Sequence, residues 1–95
     1  MLGFFKAAVV ALAVPDFIPV AMDQIVNQVA KYRYMSGGQF VVPLTIRSAQ
    51  GGGAGFGTQH SQCGESWLMN FPGIKVVVPA TPLDMYGLLR AAIRD

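Results

Sequence analysis

The residues able to do chemistry are concentrated in one stretch, Gly51 to Trp67. Five of the eleven glycines fall between Gly51 and Gly57, and the run leads into the only histidine, His60, the only cysteine, Cys63, the only glutamate, Glu65, and the only tryptophan, Trp67. Glycine serves where a backbone must adopt positive φ or approach another group closely. A glycine run ending in ionisable side chains therefore reads as a site, against the plainer reading of a surface loop, which is also glycine-rich. A nucleotide site would use Gly53-Ala54-Gly55-Phe56-Gly57 between a strand and a helix. It lacks the full G-x-G-x-x-G spacing, a ribose-binding acid after the next strand and a P-loop lysine. A hydrolase would pair His60 with Ser61 or Cys63, but neither a G-x-S-x-G elbow nor a second acid to orient the imidazole accompanies them. His60, Cys63 and Glu65 do not have the ligand spacing of a zinc site. There remains His60 as a polar group lining a cleft shared with another chain, where an imidazole can donate, accept or relay a proton near neutral pH. A histidine satisfied inside a subunit interface is the plain alternative.

Composition bears on that choice. The chain has 95 residues, 53% of them hydrophobic and only 13% charged, against about 25% charged in typical soluble domains. It is long enough for one small domain. So few charges cannot cover so much surface, and large apolar patches are expected to face a partner. The net charge is +2, with Lys6, Lys31, Arg33, Arg47, Lys75, Arg90 and Arg94 scattered. A nucleic-acid surface would cluster them on one face with reading aromatics. A single cysteine points to a reduced, intracellular setting. The apolar start, Lys6 followed by Ala7 to Val14, has a faint likeness to a leader. A membrane span needs about 20 unbroken apolar residues, and Pro15, Asp16 and Pro19 interrupt this one. The length test for short apolar runs favours a buried strand.

The elements that must position His60 follow in order. Ala7 to Val14 is strand one. Asp16 caps a helix with Pro19 in its first turn, and Phe17, Ala21, Ile25, Val29 and Tyr32 form its packing stripe, opposite Gln24, Gln28 and Lys31. Ser36-Gly37-Gly38 ends it. Phe40 to Ser48 is strand two, with Pro43 marking an end or a bulge. Ser61 to Met69 forms a short helix. Ile74 to Pro79 is strand three, its valines buried on both faces. Thr81 caps a last helix, with Pro82 at its first position, Asp84 completing a capping box and Met85, Leu88, Leu89 and Ala92 as its apolar stripe. This alternation implies an α/β fold, a parallel sheet flanked by helices, with about three strands and three helices.

Several motifs fit one family in this order: Asp23-Gln24-Ile25-Val26-Asn27-Gln28, Tyr34-Met35-Ser36-Gly37-Gly38-Gln39, Val42-Pro43-Leu44-Thr45-Ile46-Arg47, Gln59-His60-Ser61-Gln62, Pro72-Gly73-Ile74-Lys75-Val76-Val77 and Gly87 to Asp95. From about Val10 to Asp95 the chain resembles the β subunit of thiamine-diphosphate-dependent 2-oxo acid dehydrogenases, the decarboxylating components of the pyruvate, branched-chain and acetoin complexes. The resemblance implies that residues 1–95 form part of a transketolase-like pyrimidine-binding domain. It implies pairing with an α subunit that carries the diphosphate and Mg²⁺, β–β pairing, and acyl transfer to a lipoyl-bearing acyltransferase component. No nucleic acid or membrane partner is implied. The implied location is cytoplasmic, or the mitochondrial matrix in a eukaryote. His60 matches the active-site histidine, and Leu44, Thr45, Ala92 and Asp95 match positions that hold a structural K⁺ in several relatives.

The departures from the family pattern carry expectations of their own. The cofactor-activating glutamate of the family lies upstream of any residue here, and Glu65 matches a different position. Val14 stands where an aromatic usually packs near the pyrimidine, and Ala11 where an acid is usual. The expectation is a truncated relative that is inactive alone. A non-catalytic remnant that pairs with a full-length α or β subunit is the alternative.

Overall fold

A computed structural model describes residues 8–95. Its centre is a two-stranded sheet in which β1 (Ala8–Leu12) runs parallel to β2 (Leu44–Ser48), with Ala8 opposite Leu44 and Leu12 opposite Ser48. β2 begins one residue after Pro43, whose carbonyl accepts from the Ala8 amide at 2.8 Å. A proline can give its carbonyl to a ladder but has no N–H to give, so it stands at the strand's start. Strand one of the sequence reading is thus present over Ala8–Leu12; Ala7 and the leader alternative lie outside the described residues.

The crossover between the strands is not the single α-helix the spacing suggests. Pro15–Ala21 is a 3₁₀ segment, Asp23–Val29 a π-helix and Tyr32–Met35 one turn of α-helix, α1. Two prolines explain the tight start: Pro15 opens the segment and Pro19 lies inside it, where a missing N–H and a ring clash disfavour regular α winding. The wide winding that follows is closed by Ala30 N–H donating to the Ile25 carbonyl five residues back, at 3.0 Å. This change of winding moves the packing stripe by one position. Ile18 and Val26 are buried, whereas Phe17 is 52% exposed. Asp16 is not the cap; Val14 holds that position and Asp16 is spent elsewhere. The predicted stop is present. Gly38 N–H donates to the Arg33 carbonyl at 2.8 Å and Gly37 N–H to that of Tyr34 at 3.1 Å. This is the Schellman pattern, which needs the left-handed backbone glycine adopts at Gly37 (φ 64°).

After β2 come the glycine run, a short helix α2 (Glu65–Met69) and a final helix α3 (Pro82–Arg94). The capping box of α3 is complete: Thr81 Oγ1 accepts from the Asp84 amide at 3.1 Å, and the Asp84 carboxylate accepts from the Thr81 amide at 3.1 Å. α3 lies on β2, where the Thr45 hydroxyl donates to the Ala92 carbonyl at 3.1 Å.

The third strand is a correction. Ile74 to Pro79 joins no ladder among the described residues, which hold two strands. Nor is the run covered on both sides: Ile74 and Val76 are half-buried, but Val77 is 56% and Val78 58% exposed. A continuous valine run favours extended backbone, yet a strand forms only where a neighbour supplies N–H and C=O partners.

Among the described residues only Val14, Ile18 and Val26 are buried hydrophobics. The accessible surface is 7294 Å², whereas a compact monomer of this mass exposes about 5,300 Å². The molecule is a slab, 19 Å in its thinnest direction, with large apolar side chains on its outside. No helix among the described residues is long and apolar enough to cross a membrane.

Candidate functional site

Parallel strands point their carboxyl ends the same way, and in open α/β sheets ligands bind beyond those ends. Here a cleft of about 100 Å³ opens just past both strands, lined by Ala13 and Val14 after β1, Ala49 and Gln50 after β2, the glycine run and His60. The walls are apolar, from Val14, Ala54 and Phe56, and the glycines contribute bare backbone.

His60 is half-buried at this cleft. Its ring lies against Phe17, with centroids 5.3 Å apart and planes at 43°. Its Nδ1 is buried and has no hydrogen-bond partner among the described residues. A buried polar nitrogen without a partner is uncommon, and it belongs to a residue that lines the cleft.

The segment carrying His60 is held from both strands. On the β1 side, Asp16 Oδ1 accepts from the Gln62 side-chain amide at 2.8 Å and from its backbone N–H at 3.4 Å. On the β2 side, Gln50 Oε1 accepts from the Gly64 amide at 3.2 Å, and Gln50 Nε2 donates to Glu65 at 2.8 Å. Gly51 N–H donates to the Gln62 carbonyl at 3.2 Å. Glu65 is therefore occupied in tying the loop to β2. The hydrolase pairing does not form: the Ser61 hydroxyl has no partner among the described residues, and Cys63 is exposed. No cluster of three or more His, Cys, Asp or Glu able to hold a metal occurs among the described residues.

Of the positions matched to K⁺ ligands, Thr45 and Ala92 are brought into direct contact where α3 meets β2. Leu44 precedes Thr45 in β2, and the Asp95 carboxylate lies 2.5 Å from Lys75 Nζ. Spacing alone does not single out Asp16, Phe17 and Gln50. Asp16 reads as a helix cap and Phe17 as part of a packing stripe.

Comparison with known proteins agrees with this geometry. Residues 5–95 match the family described as transketolase, pyrimidine binding domain. A rice protein named pyruvate dehydrogenase E1 component subunit beta-2, mitochondrial, is 50% identical over 80 residues, covering 84% of this chain and 21% of the relative. The 2-oxoisovalerate dehydrogenase subunit beta, mitochondrial, of Dictyostelium discoideum is 54% identical over 81 residues, covering 84% and 22%. The acetoin:2,6-dichlorophenolindophenol oxidoreductase subunit beta of Bacillus subtilis (strain 168) is 49% identical over 80 residues, covering 84% and 23%. The chain spans about a fifth of the length of these relatives. With its parallel sheet, its cleft at the strand ends and these matches, the chain belongs to the transketolase pyrimidine-binding domain family and is homologous to 2-oxo acid dehydrogenase β subunits.

Proposed function

We propose that this chain supplies the pyrimidine side of a thiamine diphosphate site for oxidative decarboxylation of a 2-oxo acid. The observation that carries the reading is the apolar cleft beyond β1 and β2 with His60 in its lining. A flat heteroaromatic ring suits such walls, since Val14 and Phe56 offer apolar contact and the glycine backbone lets a ring approach closely. When bound, thiamine diphosphate supplies the carbon nucleophile and electron sink of the decarboxylation. The chain's own part is to exclude water with Val14, Ala54 and Phe56, and to present His60 for a hydrogen bond or a proton to the substrate carboxylate or acyl group.

The rest of the site comes from other chains in this proposal. An α subunit brings the diphosphate-binding Mg²⁺, a second β subunit completes the assembly, and a lipoyl-bearing acyltransferase component accepts the acyl group. The exposed apolar surface supports the need for partners, because patches of this kind mark interaction sites. A K⁺ held by Leu44, Thr45, Ala92 and Asp95 belongs to the same proposal; the donors are oxygens, as a hard cation requires. The matching compartment is the mitochondrial matrix in a eukaryote and the cytoplasm in a bacterium.

Calorimetric titration of thiamine diphosphate with Mg²⁺ into the chain mixed with an α subunit tests the reading. Saturable binding that neither chain shows alone is expected. Binding unchanged by His60→Ala and by omission of this chain would overturn it. Association with the α subunit without cofactor binding would favour a non-catalytic pairing role, which the same exposed surface also supports.

A further inference from the structure

The 3₁₀ segment after β1 and the loop carrying His60 meet through two adjacent residues that act in different ways. Asp16 reaches Gln62 by two hydrogen bonds to one oxygen, and Phe17, its neighbour, lies against the His60 ring 5.3 Å away. We propose that the Asp16–Phe17 pair is the positioning element of the cleft, gripping the His60–Gln62 tripeptide at both ends and so fixing the direction of the imidazole. The proposal rests on the reading of His60 as the group that works in the cleft.

The chemistry of Asp16 supports this assignment. Its Oδ2 is buried and has no partner among the described residues, and the same holds for the Ser61 hydroxyl. Burying part of a carboxylate without a partner is unfavourable, so a carboxylate kept here merely to start a helix would be a poor choice. It does not start the segment: its side chain makes no cap hydrogen bond there. An acceptor with no donor of its own is instead what two N–H groups converging from one residue require, and charge-assisted hydrogen bonds are the stronger kind. Phe17 makes the complementary contact. Its ring is left half outside the core, and that exposure is what allows it to reach across to the histidine.

The test uses the whole 95-residue chain without ligand, labelled at histidine and phenylalanine. His60 is the only histidine, so its ring signals need no further assignment, and the Phe17 partner is identified by the cross-peak that Phe17→Leu removes. Asp16→Ala and Gln62→Ala should each abolish the His60–Phe17 cross-peak. The exchange Asp16→Asn with Gln62→Glu, which reverses donor and acceptor, should restore it. Val20→Ala, at a site 89% exposed, should leave it unchanged. Persistence of the cross-peak in both alanine variants would overturn the proposal. If those variants fail to fold, loss of the cross-peak in a folded exchange variant would do so. Failure of the wild-type complex to bind thiamine diphosphate would sink the functional reading and leave this contact standing.

Discussion

Gly73 lies directly against the carbonyl of Ala30: a Cβ built on it would stand 2.0 Å from that oxygen. This contact joins the turn before Ile74 to the end of the π-helical winding. The backbone at Gly73 also has a φ of +93°, which L side chains rarely adopt. Gly73→Ala should therefore destabilise the protein by about 2 kcal/mol or more. Chemical denaturation should show a lower midpoint with an unchanged slope.

Gly87 gives the opposite expectation. It sits inside α3, exposed, and a Cβ there meets nothing within 4 Å. Gly87→Ala removes only chain entropy from the unfolded state and should stabilise the protein by about 0.5–1 kcal/mol. The two alanine variants, measured side by side, separate close approach from helix propensity.

The start of α3 depends on Thr81. Thr81→Ala removes the acceptor for the Asp84 amide and should cost about 1 kcal/mol. Thr81→Ser keeps the oxygen and should lose little. Thermal unfolding followed by circular dichroism would resolve the pair.

His60 should matter to turnover far more than to folding, because it is half-buried and its Nδ1 has no hydrogen-bond partner among the described residues. In a complex with an α subunit, His60→Ala should lower kcat roughly 100-fold or more and leave the unfolding midpoint close to that of the parent. A midpoint that falls in step with activity would mark the residue as structural.

Lys75 and Asp95 test the cation reading. Their ion pair is 79% and 57% exposed at its side chains, so Lys75→Met should change stability by less than about 1 kcal/mol. It also frees the Asp95 carboxylate. If Leu44, Thr45, Ala92 and Asp95 hold K⁺, the variant should be stabilised more by KCl than by NaCl at equal ionic strength. Equal responses to the two salts would remove the site.

What could be read from residue types is what depends on local chemistry. Thr81, Pro82 and Asp84 specify their cap within one turn, and Gly37 and Gly38 their stop, whereas strand two begins at Leu44 rather than at Phe40, with Pro43 at its end. The glycine run follows β2 and so lies at a strand end, where His60 lines a cleft. Two things were not legible. The 3₁₀ and π windings share their apolar spacing with an α-helix, and only Pro15 and Pro19 hint at the difference. Pairing of Ile74 to Pro79 depends on a neighbouring strand, which no run of valines can supply by itself. The grips of Asp16 and Gln50 on the loop span 46 and 14 residues of sequence, a separation at which residue patterns carry no signal.

The wide turn over Asp23–Val29 constrains how this protein can drift. Gln24, Asn27 and Gln28 face water, so their identities are open to change. Their number is open too, within limits. Seven residues of wide winding and six of ordinary α-winding turn through nearly the same angle, about 570° and about 600°, so loss of one residue with a return to α-winding would leave Asp16 and Phe17 aimed at the loop they grip. Lineages of this sequence should therefore show many spelling changes and some single-residue deletions in that turn, but not the loss of two residues.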